Sequence, residues 1–331
     1  MELTDIQIPS DLRDCSISEL EVIAQHIRNL IIHRTSHIGG HIGSSLGATD
    51  IIVALHHVFG LDDAQFIFDI SHQSYAHKIL TGRHEGFKNK DKFHTISGYS
   101  NPAESTHDAF HLGHASTSLS LACGLMIGRD LQHRTHPIIA MIGDGALSGG
   151  EAYEALNHLS TMSSQCLIII NDNEQSIAEN HGGLYTHLQQ LRETYGESPN
   201  NIFKALGFSY RYIDAGNSLA PLIHAIKDCK DETTPTVLHI HTTKGHGYDK
   251  AISNPEGFHN PSGFDIDTGE PKKRYTNSYE SIVAKQLIET LEQNKAACIV
   301  TAATPGGFCL TKDIREKLGA QYIDVGIAEE H

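Results

Sequence analysis

Two stretches decide the fold: Ile138-Ile139-Ala140-Met141-Ile142-Gly143-Asp144-Gly145-Ala146 and Leu167-Ile168-Ile169-Ile170-Asn171-Asp172-Asn173. Each is a short apolar, largely β-branched run that ends in small and hydrogen-bonding residues. Such a run reads as a strand buried on both faces. A helix, about Gly150 to Leu159, fills the interval between them. A small-residue helix, about Ala115 to Leu131, precedes the first. The alternation predicts an α/β fold with a mostly parallel sheet flanked by helices. In such sheets ligands bind at the carboxyl ends of strands, where Asp144 and Asn173 fall. Two hard oxygen donors on neighbouring strand ends suit Mg²⁺. Gly143 and Gly145 would let a diphosphate approach the backbone, with the following helix aiming its N-terminus at the anion. A Gly-Asp-Gly turn and an Asn-Asp turn are also common structural turns, and that reading stays open beside the metal–diphosphate one.

Working outward, Ser16 and Glu19 have capping-box spacing before a helix with Leu20, Ile23, Ala24, Ile27 and Leu30 on one face. A glycine-rich loop, Gly39 to Gly47, interrupts it, and a second helix is expected from about Thr49 to Val58. Gln65 to Ile70 reads as a strand, and Arg83 to His107 as loop with little helix. Further strands are expected near Tyr210–Ile213 and Thr236–Ile240, with a helix between them from about Leu219 to Ile226. From His246 to Asn277 the pattern dissolves into an apparent interdomain connection. A helix-then-strand pattern restarts near Ser278, with Ala297–Val300, a helix near Ile314 and Tyr322–Val325. The reading is therefore a diphosphate-binding domain over residues 1–277, linker included, and the truncated start of a second α/β domain over 278–331.

The chain has 331 residues and a formal net charge of −15. An acidic chain repels phosphate backbones, which argues against a nucleic-acid partner. No apolar run approaches the ~18 residues of a membrane span, and the N-terminus lacks the basic and apolar regions of a secretory signal. The six cysteines are scattered without CxxC pairs, as expected of reduced, buried thiols in a cytoplasmic protein. His33, His37 and His41 have a spacing that could suggest zinc, but Gly39 and Gly40 break the helix between them. His56 and His57 read as packing and capping. His77 and Lys78 read either as a surface or phosphate-binding pair or as a helix-end charge cluster.

The arrangement resembles the metal–diphosphate motif of thiamine diphosphate enzymes, and in particular the 1-deoxy-D-xylulose-5-phosphate synthases. The stretches that carry the resemblance are Gly40 to Gly47, Asp69 to Arg83 (with its HQ-x-Y-x-HK-x-LTGR block), Gly113 to Ser118, Gly143 to Gly145, Glu154 to His158, Asn171 to Ile177, Lys244 to Tyr248 and Asp324 to His331. The resemblance implies thiamine diphosphate and Mg²⁺ as cofactors. It implies Asp144, Asn173 and the backbone carbonyl of Gln175 as metal ligands. His41 and His72 match histidines beside the diphosphate and the reacting ring, and Gly113, His114 and Ser116 match a loop near the cofactor. Gly143, Gly145 and Ala146 belong to the diphosphate turn. Lys244 and His259 match positions near the diphosphate and the mouth, and Glu329 matches the carboxylate facing the aminopyrimidine.

The implied reaction is a transfer between pyruvate and D-glyceraldehyde 3-phosphate with loss of CO₂, in isoprenoid and thiamine precursor synthesis, by a homodimer. The family pattern usually has Gly at Ser71, Pro at Ala76 and Ser at Ala115. The interval from Asn173 to Lys244 is short for the family, and members are nearly twice as long. Other readings stay open: a related ketol transferase with another acceptor, or a non-catalytic truncated product.

Overall fold

The computed structural model describes residues 8, 11–273 and 278–331. The capping box forms as expected: Ser16 Oγ accepts from the Glu19 N–H and starts α1 (Ile17–Ile38). The break that follows is only three residues long, because α2 (Ile42–Phe59) begins inside the expected glycine-rich loop. Gly43 explains the difference. A Cβ there would lie 2.9 Å from the Phe258 carbonyl oxygen, so this glycine serves close packing within a helix. By length and composition α2 could cross a bilayer, in contrast to the expectation from apolar runs. Nearly all of it is buried inside the protein.

β1 (Gln65–Phe68) leads into α3 (Tyr75–Lys78) and α4 (Glu85–Lys88), then a long run of turns before α5 (Ser118–Leu131). β2 (Ile138–Gly143), α6 (Gly150–Leu159) and β3 (Leu167–Asp172) stand where the sequence predicts them. Two helices that the sequence reading missed follow, α7 (Gly183–Glu193) and α8 (Ile202–Leu206). β4 (Ser209–Ile213), α9 (Leu219–Lys230) and β5 (Thr236–His241) complete a five-stranded sheet of order β1-β2-β3-β5-β4. Every pairing is parallel, with Met141 beside Ile169 and Ile169 beside Leu238.

Side chains alternate between the two sheet faces. Phe66, Ile139, Met141, Ile169 and Leu238 pack against α1, α2 and α9. Ile67, Ala140, Ile142, Ile168 and Val237 pack against α5, α6 and α7. With both faces covered, the carboxyl ends of the central strands are left open to a ligand.

The 246–273 stretch is more than a connection. It contains α10 (Asp249–Ser253), and Phe258 and Phe264 enter the core beside α1 and α2. Beyond it lie α11 (Tyr279–Gln293), β6 (Ile299–Thr301), α12 (Lys312–Leu318) and β7 (Tyr322–Asp324), with β6 and β7 paired in parallel.

Two further readings are decided by burial: of the two given for His77 and Lys78 the helix-end charge cluster is the one formed, and the expectation of buried thiols holds for only some of the cysteines. His77 and Lys78 are buried: Lys78 Nζ lies 2.7 Å from Glu104, and Arg83 forks onto Asp108 at 2.7 and 2.8 Å. Burial without these partners would be costly, so the acids of the 97–108 turns are what permit it. Among the thiols, Cys123, Cys166 and Cys229 are buried, whereas Cys298 and Cys309 are exposed.

Candidate active site

The carboxyl ends of β1, β2 and β3 open into a cavity of about 580 Å³. His41 enters from the break before α2, His72 from the turn after β1, Asp144 from the end of β2 and Asn173 from the end of β3. His259 enters from the stretch after α10, and Glu329 from beyond β7. Gly113, Gly143, Gly145, Ala146 and Gln175 also line it. Ten of these residues were named from the sequence as well as the eleventh, Gln175, so residues separated by almost the whole chain share one space.

Local structure explains the convergence. Asp69, just past β1, accepts from the Ser116 and Ser118 N–H groups at 2.9 Å each. It thereby caps the start of α5 and draws the 113–116 loop to the strand ends. Ser116 itself is buried, and its hydroxyl donates to the Ala146 carbonyl at 2.7 Å. Ser116 supports the cavity wall and does not line the space. Lys244 also lies behind the wall, buried, with Nζ donating to the Ser176 carbonyl at 2.5 Å. His114 stands at the half-exposed rim, its Nε2 2.8 Å from Glu329.

The electrostatics are unusual. Asp144 is 1% exposed, and burial, with Asp172 second, pushes its carboxyl up to about 8. Asn180 Nδ2 donates to Asp144 Oδ2 at 2.6 Å. Asp172 turns away from the cavity and pairs with His239 at 2.9 Å and Arg192 at 2.5 Å. Three histidine rings, His41, His72 and His259, pack 5.4–5.6 Å apart. Burial lowers all three; for His41, with Lys244 adding to the effect, the value falls to about 4. They are neutral at pH 7. Their Nδ1 atoms and Gln73 Nε2 are buried with no hydrogen-bond partner among the described residues. Four unpaired polar atoms around one cavity call for a polar ligand. A Cβ on Gly143 would meet nothing within 4 Å, so there is open room beside the β2 end.

The sequence profile of the 1-deoxy-D-xylulose-5-phosphate synthases matches residues 3–198. The chain belongs to the 1-deoxy-D-xylulose-5-phosphate synthase family.

Relatives with that name include proteins from Listeria monocytogenes serotype 4b, 38% identical over 341 residues, and Carboxydothermus hydrogenoformans, 36% identical over 365 residues. Those alignments cover 100% and 99% of this chain but 56% and 58% of the relatives, so the chain spans little more than half their length. Among solved structures, the transketolase of Leishmania mexicana superposes with a TM-score of 0.59 at 17% identity, over 78% of this chain and 43% of that one. A Campylobacter jejuni transketolase gives 0.58 at 20% identity, over 75% and 44%. At that identity the likeness concerns the fold.

Within the synthase family's site, several cavity residues were not singled out from sequence. Gln73 sits inside the quoted His72 block and could have been named from it. Tyr99, whose ring meets His41 edge-on at 5.4 Å, lies in a stretch read as loop. Thr304, in the cavity lining, and Asn180, which does not line it but donates to Asp144, carry no local pattern; only the strand-end rule pointed towards the loop after β6.

Proposed function

We propose that this chain supplies the diphosphate-binding part of a 1-deoxy-D-xylulose-5-phosphate synthase, a transferase that condenses pyruvate with D-glyceraldehyde 3-phosphate and releases CO₂. The observation that carries the reading is the single cavity uniting Asp144, Asn173 and Gln175 with three neutral histidines and Glu329. The residues present fit thiamine diphosphate with Mg²⁺. Asp144 is a buried carboxyl whose side chain accepts from the neutral Asn180 amide, the open space lies at Gly143, and the unpaired histidine nitrogens offer hydrogen bonds. Among the described residues no three His, Cys, Asp or Glu side chains cluster as a metal site. The proposed Mg²⁺ set does not need such a cluster: it is the Asp144 carboxylate, the Asn173 amide oxygen and the Gln175 carbonyl, completed by diphosphate oxygens.

Bound thiamine diphosphate would supply the carbon nucleophile and electron sink of the reaction. This chain's residues would supply the rest. Asp144 would hold the cation in its ionised form, its proton having passed to solvent. His41, His72 and His259, held neutral by burial, would donate or accept hydrogen bonds. Glu329, held at the rim by His114, presents a carboxylate for the aminopyrimidine. Lys244 keeps the Ser176 turn against the anion site. Residues 1–277 are proposed as the diphosphate domain and 278–331 as the start of the pyrimidine domain. A homodimer and a cytoplasmic setting belong to the same reading.

The test is CO₂ release from pyruvate with Mg²⁺ and thiamine diphosphate, by the chain extended to its relatives' length. Release stimulated by D-glyceraldehyde 3-phosphate more than by unphosphorylated aldehydes is expected. No stimulation, or preference for an unphosphorylated acceptor, refutes the synthase reading.

A further inference from the structure

One guanidinium joins three parts of the cavity wall that come from distant places in the chain. Arg315, on α12, is 7% exposed. Its Nη1 and Nη2 fork onto Glu256 Oε1 and Oε2 at 3.1 and 2.9 Å. Nη2 also donates to Glu179 Oε2 at 3.1 Å, and Nη1 donates to the Leu310 carbonyl at 2.8 Å. Each carboxylate stands at the base of a turn that lines the cavity. Glu179 bridges back to Gln175 in a short antiparallel pairing, which closes the turn bearing Gln175, Ser176 and Ile177. Glu256 accepts the His259 N–H through its carbonyl at 3.1 Å, which closes the turn bearing His259. The guanidinium's own helix lies between the β6 loop and the segment that ends at Glu329.

The same three elements also wall a second cavity of about 650 Å³, lined by Glu256, Gly306 and Lys312. Ile177, His259 and Thr304 line both cavities. Arg315 therefore stands behind the partition between them. A planar fork that satisfies two carboxylates fixes distance and orientation together, which a lysine ammonium cannot do.

We propose that Arg315 is the positioning residue that assembles this site, holding the Gln175–Glu179 turn, the Glu256–His259 turn and α12 in register. Arg315 touches neither cavity's contents. It acts through the two carboxylates. The inference deepens the proposed function and rests on it only for what the assembled cavity binds; the register itself is a property of the ligand-free chain.

The experiment is amide hydrogen exchange on the ligand-free 331-residue chain. In Arg315→Lys, amides of residues 175–181 and of residues 254–260 are expected to exchange about tenfold faster, while those of β2 and β3 keep the wild-type rate. Glu179→Gln should speed only the first segment, and Glu256→Gln only the second, with both variants remaining folded because Arg315 keeps the other carboxylate as its partner. Unchanged exchange in both segments of Arg315→Lys overturns the proposal. So does a rise shared equally by β2 and β3, which would make Arg315 a general stabiliser. A thiamine diphosphate titration with Mg²⁺ separates the two ideas: about tenfold weaker binding by Arg315→Lys at unchanged core exchange supports positioning. Failure of the wild-type chain to bind sinks the proposed function and leaves the exchange result standing.

Discussion

Asp144→Asn should make the ligand-free chain more stable while destroying its proposed cation site. Asp144 is 1% exposed, and burial together with the neighbouring Asp172 lifts its carboxyl from the ordinary 3.8 to about 8. Between those values the unfolded carboxyl is ionised and the folded one is protonated. The folded state then binds more protons than the unfolded state, so stability falls as pH rises through the window from 4 to 8. At pH 7 the gap of about three units corresponds to a cost of about 4 kcal/mol. An asparagine of the same shape avoids the ionisation cost but must bury an amide, which returns part of it. The expected net gain at pH 7 is about 2–4 kcal/mol, or roughly 3–6 °C in Tm for a chain of this size. The assay is urea and thermal unfolding in EDTA at pH 5, 7 and 8. The gain should be small at pH 5 and grow with pH. A variant no more stable than wild type at pH 8, or a gain that does not vary with pH, would refute the reasoning.

Other outcomes follow from the same geometry. The His41 imidazole, lowered to about 4 by burial and then by Lys244, stays neutral in the fold while the unfolded residue protonates below about 6.5. It should therefore contribute a loss of about 2 kcal/mol on going from pH 7 to pH 5, and His41→Asn should flatten that part of the acid limb in urea titrations. A Cβ on Gly145 would lie 2.5 Å from Ser176 Oγ and 3.0 Å from Ile327 Cδ1, so Gly145→Ala should cost about 1–3 kcal/mol in denaturant unfolding. Gly143→Ala meets nothing within 4 Å; it should leave Tm unchanged and weaken thiamine diphosphate binding at least about tenfold by calorimetry. Asp108→Asn removes the acid that Arg83 forks onto and leaves Glu104 as the acid facing both Arg83 and Lys78; it should cost about 1.5–3 kcal/mol in urea.

The central strands were legible because Ile138–Ile142 and Leu167–Ile170 are apolar on both faces and end in small or amide residues. That pattern needs no tertiary information. The motif residues at those ends then located the cavity. The extent of α2 was not legible. Gly43 looks like a helix breaker until the Phe258 carbonyl, more than 200 residues away, is seen to require the missing side chain. Helix α7 does carry Leu184, Leu188 and Leu191 at helical spacing, but a glycine pair and a polar run around it hid the pattern. The burial of Lys78 depends on acids 26 and 30 residues along, inside turns without periodicity. The motif drew Lys244 and Ser116 towards the cofactor, and the structure puts both behind the cavity wall; whether a residue lines a space or supports its wall depends on packing that spacing alone does not encode. Arg315 carried no motif at all.

The central claim is that the β2 and β3 ends form a metal–diphosphate site. Its most direct test is isothermal titration of the 331-residue chain with thiamine diphosphate, in Mg²⁺ and in EDTA, beside Asp144→Ala. Saturable binding with Mg²⁺ that is lost in EDTA and lost in the variant is expected. Equal binding with and without Mg²⁺, or an Asp144→Ala chain that binds as the wild type does, would contradict it.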